Sequence, residues 1–298
     1  MESHNIGKSV KRSRMSIMTF DIMQDQMLGA MSVEDIFRLA TENHIPYLDV
    51  MDLAEKETKY YCQMMERYPV KIKCYIGSGS MLQDPLKVQS MIHKHLATAK
   101  KLNADILMLV PVNAVKDGRK AKKAGHDKVL EKMIEGYQMA VWMAKSTGIK
   151  IGLETTPQDF SCCCGMEDCK KILEAVPGLG LIYDTANMMP HGDETLVYYE
   201  TLKQYIIHVH LKDITVGEKK WSDKILGGEY LPDGRHMNGV LPGMGTIPVR
   251  EICQKLENDG YSGIYAIEYR RPKGLRAKLE KHSSHLGITL EYLGEKCI

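Results

Sequence analysis

Four residues of this 298-residue chain have the types and the spacing to hold a divalent cation: Glu154, Asp184, His210 and Glu268. They stand at the ends of four short apolar runs, IKIGLE, LGLIYD, IIHVHL and GIYAIE. Three carboxylates and an imidazole gathered in one place carry a formal charge of about −3, and that set repels itself unless a cation neutralises it. Oxygen donors with one ring nitrogen suit Mn2+, Mg2+, Co2+ or Zn2+. The oxygen-rich balance leans away from a structural zinc and puts Mn2+ first. A single Asp or Glu after a strand is as often a residue capping a loop. Four in successive strands are not accounted for in that way. In each run the candidate shares its face with the residue two places earlier: Gly152 with Glu154, Ile182 with Asp184, His208 with His210, Ala266 with Glu268.

Such groups converge only if their strands are parallel and end on one edge. The chain alternates short apolar runs with longer helical-period runs throughout. The strands expected are Ser16 to Ile22, Tyr47 to Val50, Lys71 to Ile76, Ile106 to Val110, Ile149 to Glu154, Leu179 to Asp184, Ile206 to Leu211 and Gly263 to Glu268. Helices are expected over Val33 to Glu42 with Ser32 as N-cap, Asp52 to Arg67, Pro85 to Leu102 and Asp127 to Ser146, the last followed by a C-cap Gly148. Four more are expected over Glu167 to Ala175, Glu194 to Gln204, Val249 to Asp259 and Leu275 to Leu293. Strand-then-helix units in this number predict the α/β class and a single (β/α)8 TIM barrel, with its chemistry at the C-terminal strand ends. A doubly wound sheet would want a Gly-rich phosphate turn after an early strand, and none is present. The barrel is read as one domain over residues 1–298, with a polar tail over 1–14 and a long irregular loop, Lys212 to Gly245, after strand seven.

The bulk composition narrows the partners. Hydrophobic residues make up 44% and charged residues 26%, as in a packed soluble domain. A formal net charge of +2 offers no basic field for a nucleic acid. The polar, basic start has no apolar signal segment, and no apolar run of about 18 residues could span a membrane. The expected address is the cytoplasm, where the eight cysteines stay reduced.

At these residues the chain resembles the xylose-isomerase-like barrel superfamily of sugar isomerases and epimerases. The matching segments are GLETTP (152–157), GLIYDTAN (180–187), HVHLKD (208–213), PGMGTIPV (242–249) and YAIEY (265–269). They cover the second half of the chain; the first half matches only in its strand–helix rhythm. The resemblance implies that Glu154, Asp184, His210 and Glu268 hold one divalent metal ion, and that Glu154 and Glu268 also act as an acid/base pair. One glutamate removes the proton beside a carbonyl, an enediolate forms, and the other glutamate returns a proton. It implies a small carbohydrate as substrate, met by Asn187, Lys212 and Arg270. Asn187 stands where many members carry a His, and Val216 where epimerases often carry an Arg; Lys212 offers a positive charge nearby.

Other readings follow from the same barrel. One is a dehydratase of the inosose type. Another is a C-glycoside-deglycosylating enzyme acting by elimination on a 3-oxo sugar, with a small partner subunit; a homo-oligomer is the alternative assembly. An apurinic endonuclease would need further His and Asp ligands, and a silent sugar- or metal-binding protein would not need the intact set. The basic run Lys116 to Lys123 reads as a solvated loop before it reads as a phosphate or carboxylate site. Cys162, Cys163, Cys164 and Cys169 lack zinc-ribbon spacing. His208 is expected to be a satisfied core histidine. Trp221, Tyr230, Arg235 and His236 mark the long loop as a lid or a subunit contact.

Overall fold

The computed structural model describes residues 11–110, 123–157, 165–218, 230–269 and 276–294. The strands are β1 (Met15–Met18), β2 (Tyr47–Met51), β3 (Lys71–Ser78), β4 (Ile106–Val110), β5 (Lys150–Glu154), β6 (Leu179–Asp184), β7 (Ile206–Leu211), β8 (Asp213–Gly217), β9 (His236–Val240) and β10 (Tyr265–Ile267). Eight of them, all parallel, close into a barrel in the order β1-β10-β7-β6-β5-β4-β3-β2, while β8 and β9 form a separate antiparallel pair. This is the (β/α)8 barrel that the alternating pattern predicts.

Strand alternation sorts the side chains into two layers. Ile17, Leu48, Val50, Leu107, Leu109, Ile151, Leu153, Leu181, Tyr183, Val209 and Leu211 join the large core beneath the helices. Met18, Cys74, Ile76, Ile106, Met108 and Ile182 form a second buried cluster inside the barrel. Gly152 makes room in that lumen: a Cβ there would lie 2.6 Å from Ile182 Cδ1.

Two register shifts decide which polar groups face inward. Leu181 pairs with Ile206 but Ile182 pairs with His208, so Ile207 is an extra residue on β7. Were Ile207 paired in regular register instead, Tyr183 would oppose His208, and both histidines would point at the helices, because a one-residue slip exchanges the two faces. Ile207 itself packs against the lumen cluster, in the space that Gly180 leaves by having no side chain. A second shift pairs Leu48 with Ile72 and Asp49 with Cys74, skipping Lys73.

The observed elements correct several sequence expectations. β1 stops at Met18, short of Ile22. Thr19 carbonyl accepts the N–H groups of Ile22 and Met23, which starts the helix Phe20–Met27 and buries Ile22 as a helical residue. The helix expected from Asp52 begins at Glu55. Asp52 has φ 45°, and its carboxylate accepts the Ser78 N–H instead. The last helix opens at Leu279, after Leu275. The stretch expected to be irregular after β7 contains the β8–β9 hairpin. Ser32 caps its helix as expected, in a reciprocal pair with Asp35. No helix among the described residues is long and apolar enough to cross a membrane.

Candidate metal centre

β6 and β7 pair Asp184 directly with His210, at the C-terminal end of both strands. Glu154 closes β5 on one side. Glu268 follows β10 on the other, and its N–H bonds to the Leu211 carbonyl. All four are buried, from 0% exposure at His210 to 8% at Glu268.

Three of the four meet at one point. Glu154, Asp184 and His210 each offer an atom within 4.8 Å of the other two. The atoms left over after internal hydrogen bonding are Glu154 Oε1, Asp184 Oδ2 and His210 Nδ1, all fully buried and none in an aligned hydrogen bond. His210 Nδ1 lies 2.5 Å from Glu154 Oε1. Asp184 is held from behind, its Oδ1 accepting the N–H groups of Ala186 and Asn187, both at 2.7 Å. A buried polar atom without a partner is costly. Two carboxylate oxygens and a ring nitrogen crowded together without an aligned hydrogen bond are a donor set that fits a divalent cation.

Glu268 is turned elsewhere. Its Oε1 forms an ion pair with Lys212 Nζ at 3.0 Å, while its carboxyl still feels Asp184 and His210 close by. Lys212 Nζ also donates to Asn187 Oδ1 at 2.9 Å. The Lys212 backbone is pinned to the end of β6: Thr185 Oγ1 donates to its carbonyl at 2.6 Å and accepts its N–H at 2.8 Å. Asn187 and Lys212 therefore lie at the site, linked to each other. Arg270 lies outside the described residues, as do Arg271, Trp221, Cys162, Cys163, Cys164 and the basic run up to Lys122. Cys169 is buried, its Sγ 3.5 Å from the Thr155 hydroxyl.

Sequence reasoning missed Asp49. It is wholly buried in the lumen, and its Oδ2 takes His208 Nε2 at 2.6 Å and His210 Nε2 at 3.2 Å. Its Oδ1 accepts the Ser16 hydroxyl at 2.6 Å. The available signal was a lone acid between Leu48 and Val50, in a strand whose other residues are apolar or aromatic. His208 was expected to be a satisfied core histidine; it is buried and bonded to this carboxylate through Nε2, but its buried Nδ1 has no hydrogen-bond partner among the described residues.

The charges follow from burial and neighbours. Burial pushes the Asp184 carboxyl well above the usual range against the pull of Lys212, and Glu268 and Glu154 add to the rise. Burial works against the His210 imidazolium, but Glu154 and Asp49 outweigh it and hold the ring well above 6.5. Burial also acts upward on Glu268 and Asp49. Lys212 and His210 overcome it at Glu268, and His208 and His210 overcome it at Asp49, so both stay ionised.

A pH dependence follows for the metal-free protein. Asp184 and His210 both hold protons more tightly folded than unfolded. Above 3.8 and 6.5 respectively, up to the raised folded values, the native state binds more protons, and stability falls as pH rises. Melting in the presence of a chelator is expected at lower temperature at about pH 8.5 than at about pH 6.5. A divalent cation, taking the place of the protons, should flatten that decline. A chelated protein that melts higher at the alkaline pH would contradict the charge assignment.

Comparison with known proteins places this geometry in context. The model of the xylose isomerase-like TIM barrel family matches residues 28–286. The uncharacterized protein MJ1311 of Methanocaldococcus jannaschii is 25% identical over 264 residues, covering 82% of this chain and 80% of that protein. The structure of the IolI protein with a bound zinc atom superposes with a TM-score of 0.70 at 16% identity, over 94% of this chain and 98% of the other. The 3-keto-D-glucoside 4-epimerase YcjR of E. coli superposes with a TM-score of 0.67 at 12% identity, over 93% and 99%.

Proposed function

Because the chain belongs to the xylose isomerase-like TIM barrel family, we propose that it is a divalent-metal-dependent isomerase or epimerase that moves a proton beside the carbonyl of a small carbohydrate. The observation that carries this reading is the convergence of Glu154, Asp184 and His210, whose buried Oε1, Oδ2 and Nδ1 atoms make no aligned hydrogen bond among the described residues. These residues would hold the ion, with Glu268 as the fourth ligand. The oxygen-rich set favours Mn2+, and the zinc of the IolI structure makes Zn2+ the first alternative. When bound, the ion supplies positive charge where negative charge develops on the substrate oxygens.

The chain's own groups do the proton work. Glu154 and Glu268 stand on β5 and beyond β10, with β6 and β7 between them, so they flank Asp184 and His210 from two sides. One carboxylate takes the proton from carbon and the other returns one from the opposite side, as an inversion requires. Lys212 keeps Glu268 ionised and therefore able to accept a proton. Lys212 and Asn187, already joined at 2.9 Å, present a donor pair to substrate oxygens, and Arg270 is proposed to add a third group.

The test is hydrogen exchange followed by NMR. Metal-loaded protein is incubated in D2O with free and phosphorylated ketoses, inososes and 3-oxo-glycosides. Metal-dependent deuterium uptake next to the carbonyl is expected, and the products separate epimerisation from elimination. Metal-loaded protein that exchanges no hydrogen on any of them would refute the proposal.

A further inference from the structure

We propose that Asp49 is a positioning residue that aims His210 Nδ1 at the ion; the inference rests on the metal reading above. An imidazole has two nitrogens, and the hydrogen bond made by one decides which is left to act as a ligand. His210 Nε2 faces Asp49 Oδ2 at 3.2 Å, an oxygen that also takes His208 Nε2 at 2.6 Å, while Oδ1 accepts the Ser16 hydroxyl, so both oxygens of the carboxylate serve as acceptors. Nε2 must therefore hold the hydrogen. Nδ1 is left 2.5 Å from Glu154 Oε1, in the cluster that Asp184 completes within 4.8 Å.

The carboxylate is itself held from several sides. It reaches across the lumen from β2 to β7, with β1 and β10 between them in the wall. Ser16 fixes its Oδ1. The backbone carbonyl of Asp49 accepts both the N–H and the hydroxyl of Thr19, at 2.9 and 3.0 Å. His208 donates to the same Oδ2 at 2.6 Å, and its ring meets that of His210 edge to face, with centroids 5.3 Å apart and planes at 84°. One oxygen thus orders two perpendicular rings. His208 both bonds Asp49 and packs edge-on against the ring that would carry the ligand atom. A hydrogen-bonded carboxylate behind a ligating histidine also makes the ring a better donor.

The test reads the ring directly. In protein carrying 15N-labelled histidine and loaded with Zn2+, long-range 1H–15N correlation should show His210 with Nε2 protonated and Nδ1 shifted by the metal. Asp49→Asn keeps the shape and removes the charge; Zn2+ affinity, measured against a chromophoric chelator, should fall roughly 10- to 100-fold, and the visible spectrum of the Co2+ form should change. Ser16→Ala, which leaves both histidine contacts in place, should lose much less. Zinc bound through Nε2 would overturn the inference while leaving the metal reading intact. So would an Asp49→Asn protein with unchanged affinity and Co2+ spectrum. If that variant does not fold, the wild-type correlation still decides. A wild-type chain that takes up neither zinc nor cobalt overturns the metal reading and this inference with it.

Discussion

Glu268→Gln is expected to lower deuterium exchange at the substrate carbon by roughly 100- to 10,000-fold, the range that a lost general acid or base costs. The substitution keeps the side chain's size and removes its basicity. The fold should survive, because Glu268 makes its backbone bond to Leu211 regardless of side chain. Lys212 would lose its ion-pair partner at 3.0 Å but keep Asn187. Assays belong at saturating metal, so that weaker binding by the amide is not read as slower proton transfer. Exchange at the wild-type rate would remove Glu268 from the mechanism and leave Glu154 as the only carboxylate acting on carbon.

The second large effect is expected at His210. Its replacement by Ala removes one of three converging donor atoms and the nearest positive charge to Glu154. Metal affinity should fall by more than the roughly 100-fold that losing an outer partner costs. Metal analysis after dialysis should find the variant nearly empty. The metal-free fold should also suffer, since breaking a buried ion pair typically costs about 3–5 kcal/mol. Asp49 would keep His208 and Ser16, so the loss should concentrate at Glu154 and Asp184. Unchanged metal content in His210→Ala would show that the ion sits elsewhere.

The strands that matter most were legible because their physics is local. β4, β6 and β7 have the bounds that the apolar runs predict, each flanked by turn residues or a charged end. The first strand was overread because Phe20 and Ile22 continue the apolar pattern, while the chain turns helical at Thr19 through backbone bonds that leave no mark in composition. The β8–β9 hairpin was missed because HMNGV carries an Asn and a Gly and has no strong alternation. It forms because DITVG, just after β7, offers it a ladder. At the site, the strand-end residues were visible one by one. The turning of Glu268 toward Lys212 was not, since it depends on Thr185 pinning the Lys212 backbone from a neighbouring strand. Asp49 was hidden for a different reason. Its role comes from facing β7 across the lumen, at a separation of 159 residues from His208, and a reading confined to strand ends passes over it.

Asp213 follows Lys212 and is wholly buried, its carboxylate accepting the N–H groups of Gly243, Gly245, Ile247 and Ile214. A Cβ at Gly245 would lie 2.2 Å from Asp213 Oδ1, so the PGMGTIP turn closes on that carboxylate with no space to spare. Together with the β8–β9 ladder, this fastens both ends of the excursion after β7 to a single frame. Lys212 thus sits in a frame set by residues 213–217 and 236–247 alone. Replacing the residues between Glu218 and Tyr230 should therefore leave Lys212 in place, with its bonds to Glu268 and Asn187.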